Sequence, residues 1–177
     1  MNPDAQRFPV RRIAYLAVLT SAACVLSAVE SMIPIPAPSP GIKLGLANIV
    51  TLILLLKERS PVYAAAVTIV RCALTALLLG ALSSLIFSMA GGLISCLAMW
   101  LLLKAGGVFS PIGVSVAGAI SHNMSQLSAA ALIARDSAIF GYMPALLIAG
   151  LAAGLATGFI ALRVRGIIDL IYNRSLW

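Results

Sequence analysis

Charge is scarce in this chain. Of its 177 residues 10% are charged, where a soluble domain carries about a quarter. Five are acidic and twelve basic, and nowhere do the acidic ones form the paired or DDxxD-type cluster that would hold Mg²⁺ and a diphosphate. There is one histidine, His122, and three cysteines, Cys24, Cys72 and Cys96, each inside an apolar run. None has CxxC or Cys/His ligand spacing, so a zinc or dithiol centre of that kind is excluded and the thiols read as small buried hydrophobes. No GxxxxGK[ST] is present, so ATP hydrolysis, if coupled to this chain, belongs to a partner. Without a carboxylate pair, or a serine or cysteine beside a base, enzymatic chemistry has little to work with. We expect no catalysis, no cofactor and no metal.

What the chain has is apolar surface: 62% hydrophobic residues and a mean hydropathy of +1.08. These values predict an all-α integral membrane protein forming a single domain, 1–177. A spanning helix needs about 20 apolar residues, and six segments fit: 13–33, 42–56, 61–80, 82–103, 112–134 and 142–162. The second is short, only about 22 Å at 1.5 Å per residue. Pro61 and Pro111 fall at or just before helix starts, where a missing N–H costs least. The polar, basic start followed by a full-length apolar run reads as a retained span rather than a cleaved signal.

Lysine and arginine placement sets the orientation. Arg7, Arg11, Arg12, Lys57, Arg59, Lys104, Arg163, Arg165 and Arg174 all fall on one side if both termini are cytoplasmic, which leaves Lys43 and Arg135 outside and Arg71 within span three. The net charge of +7 is thus explained by topology, without nucleic acid. The tail, 163–177, mixes apolar residues with Asp169 and Arg174 from Gly166 onward and reads either as a short interfacial helix or as a frayed end.

Between spans one and two, Pro34, Pro36, Pro38 and Pro40 place four of the nine prolines within seven residues. Proline fixes φ and lacks an N–H, so this stretch cannot be helix interior. We expect a stiff outer lid over 34–41, leading into a helix that carries Lys43 and Asn48 into the membrane.

Polar groups inside spans are costly and mark function. Span one carries small residues at four-residue spacing, Thr20, Cys24 and Ala28, with Ala23 and Ser27 beside them; such a stripe serves internal packing or a membrane partner. Glu30 near the outer end of span one and Arg71 in span three either neutralise each other or leave Arg71 to bind an anion. Span four presents Ser84, Ser88, Gly91, Gly92 and Ser95, a tight-packing face or the wall of a cavity. In span five, His122, Asn123 and Gln126 lie within one helical turn and share a face by spacing. With Arg71 opposite and Lys43 and Asn48 above, they read as a polar pocket, the alternative being a self-satisfied structural network.

These residues carry a resemblance. GIKLGLAN at Gly41–Asn48, Arg71, SxxGG at Ser88–Gly92 with Ser95, and HNxxQ at His122–Gln126 resemble the small membrane proteins labelled heptaprenyl diphosphate synthase component I, also called the Gx transporter family. That group in turn resembles the substrate-binding S-components of energy-coupling-factor (ECF) vitamin transporters. The likeness covers about Ile13 to Leu162, and GIKLGLAN together with HNxxQ is its specific part. The S-component link rests on six spans, both termini inside, a lid between spans one and two and a small-residue stripe on span one.

The resemblance implies an S-component-like bundle in a bacterial inner membrane, in contact with lipid. Such a protein captures a small polar or anionic molecule from outside, and a transmembrane coupling subunit with two ATPase subunits drives its release inward. Lys43 and Arg71 would supply charge, Asn48, His122, Asn123 and Gln126 hydrogen bonds, and Gly92 and Ser95 close approach of the backbone. Thr20, Ala23, Cys24, Ser27 and Ala28 would dock the membrane partner. The synthase label implies instead a subunit that anchors or regulates a prenyl diphosphate synthase or quinone biosynthetic enzyme, and hints at an isoprenoid or quinone-related ligand. Asp occurs only at Asp4, Asp136 and Asp169, outside the spans, which is unlike the aspartate-rich catalytic chains. A secondary transporter is disfavoured by the lack of inverted repeats and of a coupling carboxylate pair.

Overall fold

A computed structural model describes residues 3–32, 43–58, 60–80, 82–106 and 108–174. The lid expected at 34–41 lies outside them. The described residues form six α-helices and one 3-10 turn: α1 Pro3–Ser31, α2 Asn48–Glu58, α3 Pro61–Leu78, α4 Leu82–Lys104, α5 Pro111–Ala134, the 3-10 turn Ser137–Tyr142, and α6 Met143–Arg174.

Local chemistry sets several of these ends. Ser60 caps α3 and Ser110 caps α5, each accepting a backbone N–H through its side chain, with a proline in the first turn. This is the arrangement that satisfies an otherwise orphaned donor at least cost. Arg135 closes α5 in the left-handed region at φ 53°, and Asp136 caps the 3-10 turn by accepting from Ala138 N–H at 2.8 Å. α6 continues without a break to Arg174, so the expected division between a sixth span and a separate tail helix is corrected: 32 residues make one rod of about 48 Å.

Four stretches are long and apolar enough to cross a membrane: Arg12–Ser31, Pro61–Leu78, Ser84–Lys104 and Ser137–Ile167. The chain is therefore a multi-pass membrane protein. α5 has the length, 24 residues, but carries His122, Asn123, Gln126 and four serines. α2 is apolar but has only 11 residues, about 16 Å. Helix α2 starts at Asn48, six residues later than expected. The reason is local: Gly45 takes φ +86°, a conformation open to glycine and closed to a continuing helix, and a turn at Leu46–Ala47 follows.

The short helix is the centre of the bundle. All eight residues from Asn48 to Leu55 are buried, the pattern of a helix enclosed on every side, and α2 touches each of the other five helices. Around it α1, α3, α4, α5 and α6 follow one another, each beside the next; among the described residues α1 meets only α2 and α3. Leu52, Leu54 and Leu55 fill the core with Leu19, Met99 and Val114.

At one end of the bundle Arg12 pairs with Glu58 and stacks over Tyr63, and Lys57 lies 4.5 Å from the Tyr15 ring centre. The α1 start and α2 end are thus neighbours, and the two helices run antiparallel.

α5 and α6 approach through glycine. Gly150, Gly154 and Gly158 recur at four-residue spacing along α6. A Cβ on Gly154 would stand 2.5 Å from Val116 Cα, and one on Gly158 3.0 Å from Ile112 Cα. Ser115 and Thr157 hydroxyls meet at 2.9 Å in the same seam. In lipid, helix association relies on such close van der Waals fit and on interhelical hydrogen bonds.

The stripe on α1 faces inward rather than outward. Ala23 and Ser27 are buried, while Thr20, Cys24 and Ala28 are half-buried, and the Cys24 thiol lies against the Arg71 carbonyl on α3. The buried part of these residues packs against α3 and the bundle interior. The outward face of α1 is instead Val18, Val25, Val29 and Met32.

Candidate polar binding site

At the end opposite the Arg12–Glu58 pair, buried polar groups from five elements gather. Glu30 closes the last turn of α1. Its carboxylate accepts from the Gly45 N–H and, at 3.2 Å, from the Leu46 N–H, and so ties the 43–47 segment to α1. No ion pair within 4.0 Å joins Glu30 to Lys43 or Arg71 among the described residues. The expected alternative of a Glu30–Arg71 pair is therefore corrected: the acid is held by two backbone donors.

Lys43 enters the same cluster twice. Its N–H donates to Gln126 Oε1 at 2.8 Å, and its ammonium donates to the Ser27 hydroxyl and carbonyl at 3.3 and 3.5 Å. Arg71 reaches the Ser27 hydroxyl from the other side, Nη1 to Oγ 3.5 Å. Ser27 thus stands between two buried cations.

The Gln126 contacts settle the histidine. Because the Lys43 N–H needs an acceptor, the Gln126 carbonyl oxygen faces Lys43 and its amide nitrogen faces His122 Nε2, at 2.8 Å. Nε2 must then accept, which puts the imidazole proton on Nδ1. Nδ1 lies beside the Gly91 backbone without a hydrogen bond of normal geometry. Gly91 is there because nothing larger fits: a Cβ would stand 2.7 Å from the ring's Cε1 and 3.0 Å from Gln126 Cγ. Gly92 performs the same service on the neighbouring face, where a Cβ would meet Thr68 Cγ2 at 2.6 Å and Arg71 Nη2 at 3.1 Å.

Not every expected residue joins. Asn123 does not share the face of His122 and Gln126: it turns to α6 and donates to the Leu146 carbonyl at 2.9 Å. One position along a helix is a rotation of about 100°, enough to aim adjacent side chains at different neighbours. Ser95 is fully buried, but its hydroxyl donates to Gly92 O of its own helix at 3.0 Å. Lys43, Arg71, Gln126 and His122 do come together, beside Gly92. Three residues left out of the expected binding set join them: Glu30, Ser27 and Gly91.

Several buried polar atoms in this half have no hydrogen-bond partner among the described residues: Arg71 Nη2, both amide atoms of Asn48, Thr75 Oγ1 and Asn123 Oδ1. Register relates the first three. Thr51 on α2 meets Thr68 on α3 at 3.3 Å, so one turn outward on these antiparallel helices Asn48 and Arg71 lie level. Thr75 lies a further turn along the Arg71 face. Buried polar groups are nearly always paired, and a concentration of unpaired ones points to a bound molecule or water.

Gln126 bridges two groups that have no other partner among the described residues, so Gln126→Ala is expected to destabilise the ligand-free chain. Leaving the Lys43 N–H and His122 Nε2 unpaired costs about 1–3 kcal/mol each; a thermal melt of the purified variant, read as a fall in Tm, checks it.

No curated protein and no solved structure matches this chain. The family model described as heptaprenyl diphosphate synthase component I matches residues 19–164, a stretch that holds all six helices in whole or in part and every residue of the polar cluster. On that match, the chain belongs to the heptaprenyl diphosphate synthase component I family.

Proposed function

We propose that this chain is the substrate-binding subunit of an ECF-type importer, taking a small polar or anionic molecule from outside into the Arg71–Asn48 end of the bundle. The observation that carries the reading is the set of unpaired groups. A guanidinium arm and a whole carboxamide, on residues 3% and 5% exposed, sit level on adjacent helices within a membrane protein. A scaffold gains nothing from leaving them unmatched, because each costs its full desolvation. A ligand with acceptor oxygens would match them. The ligand-binding set is Lys43, Asn48, Arg71, Gly92, His122 and Gln126, with Thr75 added. Ser95 and Asn123 shape the walls.

In this reading all six helices lie within the membrane, with both termini cytoplasmic. α2 is enclosed by its neighbours rather than by lipid, which removes the objection that it is too short to span. The Arg12–Glu58 end faces inward, in keeping with the basic loops on that side, and the polar cluster faces out. A transmembrane coupling subunit and two ATPases complete the importer. Since Ala23 and Ser27 are turned into the bundle, the coupling subunit would meet the valine face of α1.

The family description favours a second reading, in which the chain is a non-catalytic membrane subunit that anchors or regulates a prenyl diphosphate synthase. Affinity purification of the full chain from its own membranes separates the two. Recovery of ABC-type ATPases supports the importer; recovery of a soluble prenyl synthase in their place overturns it. Reporter fusions at Met1 and Trp177 should both read cytoplasmic.

A further inference from the structure

We propose that the site selects a ligand bearing a single negative charge of carboxylate type, and rejects phosphate esters and diphosphates. This rests on the binding reading above and adds the charge of the ligand to it.

The charges of this half of the bundle can be counted completely. Glu30, Lys43 and Arg71 are buried, while Arg135 and Asp136 at the end of α5 are exposed. The stretch Ile33–Ile42 adds none. Two cations and one anion leave the buried cluster with one unit of positive charge. The single carboxylate is held by the Gly45 and Leu46 N–H groups. Lys43 Nζ donates to Ser27 O and Oγ; a proton passed between Lys43 and Glu30 leaves the sum unchanged, and arginine does not deprotonate in proteins.

Surplus charge in a low-dielectric interior is heavily penalised, and the penalty is removed by one opposite charge and restored by two. A carboxylate brings the cluster to neutrality. A phosphate monoester, with about −1.5 to −2 charges at neutral pH, would overshoot, and a diphosphate would overshoot further. The unpaired Nη2 of Arg71 is one prong of a planar fork that takes oxygens of carboxylate and phosphate alike, so geometry supplies the anchor and charge the choice; the Asn48 amide nitrogen, also unpaired, is level with it.

Asn48→Asp tests this within the protein's own chain. It places a carboxylate level with Arg71 without adding a heavy atom, so the protein itself would neutralise the cluster. The full-length chain is purified in lipid nanodiscs, and the small molecules released on denaturation are identified by mass spectrometry. We expect the wild-type chain to release a molecule with one ionised carboxylate and no phosphate. The Asn48→Asp chain should release none and melt no lower than the ligand-free wild type. Should Asn48→Asp not fold, Thr75→Asp supplies the same charge one turn outward on the Arg71 face, with the same expected loss. A phosphorylated or neutral molecule from the wild type, or undiminished retention in a folded aspartate variant, overturns the charge assignment and leaves the binding reading standing. Release of no small molecule from the wild type overturns both.

Discussion

Gly154→Leu is expected to abolish assembly of the bundle, with the variant missing from the folded, detergent-extractable fraction. A Cβ at this position would already stand 2.5 Å from Val116 Cα and 3.1 Å from Val116 N. The obstacle is backbone, which cannot rotate out of the way as the far end of a side chain can. Either α5 and α6 separate along the seam, or one of them bends. Separation would break the Ser115–Thr157 hydrogen bond and loosen the contact that positions Asn123 against Leu146 O. Overpacking in a core with some give costs about 1–3 kcal/mol, and here the seam has none. Gly80→Leu is the matched control, because a Cβ there meets nothing within 4 Å, although its φ of +62° adds a small backbone strain of its own. Size-exclusion profiles of the two variants decide the matter. A monodisperse Gly154→Leu protein with wild-type Tm would mean that the α5–α6 seam is looser than described.

Arg71→Ala should remove binding with little loss of stability. Truncating one member of a buried, hydrogen-bonded charge pair costs about 2–5 kcal/mol, roughly thirty-fold to several thousand-fold in affinity. For a carboxylate partner the whole of that loss appears in Kd. In the ligand-free chain the balance differs. Among the described residues the guanidinium makes one long bond, to Ser27 Oγ, and that hydroxyl keeps its contact with Lys43. Removing a cation that lies near a second cation relieves repulsion. Arg71→Lys should recover part of the affinity, because an ammonium restores charge but not the two-pronged geometry. Calorimetric titration with the molecule released from the wild-type chain, beside melts of the empty variants, checks both halves. A large fall in Tm with unchanged Kd would make Arg71 a scaffold residue.

The sequence was most legible where one rule governed. Long apolar runs gave α3, α4 and α5 close to their observed extents, since backbone pairing in an apolar setting leaves helix as the only solution, whereas α1 starts ten residues earlier and α6 ends twelve later than the runs predict. Serine–proline pairs marked two helix starts. Legibility failed where an outcome depended on neighbours. IKLGLAN is apolar enough to read as helix, yet its glycine holds φ +86° and two of its N–H groups are taken by an acid fifteen and sixteen residues upstream. Spacing placed His122, Asn123 and Gln126 on one arc, but only the position of α6 decides that Asn123 turns away. Two small-residue stripes were available for close packing, one on α1 and one at Gly150, Gly154 and Gly158. Periodicity says that a stripe meets something; it does not say what. Ser27 and Glu30 could have been recognised together, because three-residue spacing on α1 puts them on the inward face of Ala23.

The enclosed second helix has a consequence for biogenesis. A segment of 11 residues covers about half the hydrocarbon thickness, so α2 has no stable resting place in lipid by itself. As the chain leaves the ribosome, α1 can partition into the bilayer at once, whereas α2 must remain in the insertion machinery or at the membrane surface until its enclosure exists. That enclosure includes α6, which touches α2 directly and is made after the other five. The Lys43–Ala47 segment is carried by α2 and fastened to Gln126 on α5, so the polar end can be completed only after α5 has been made. Synthesis that stops before Met143 would leave α2 without one of the five helices that enclose it.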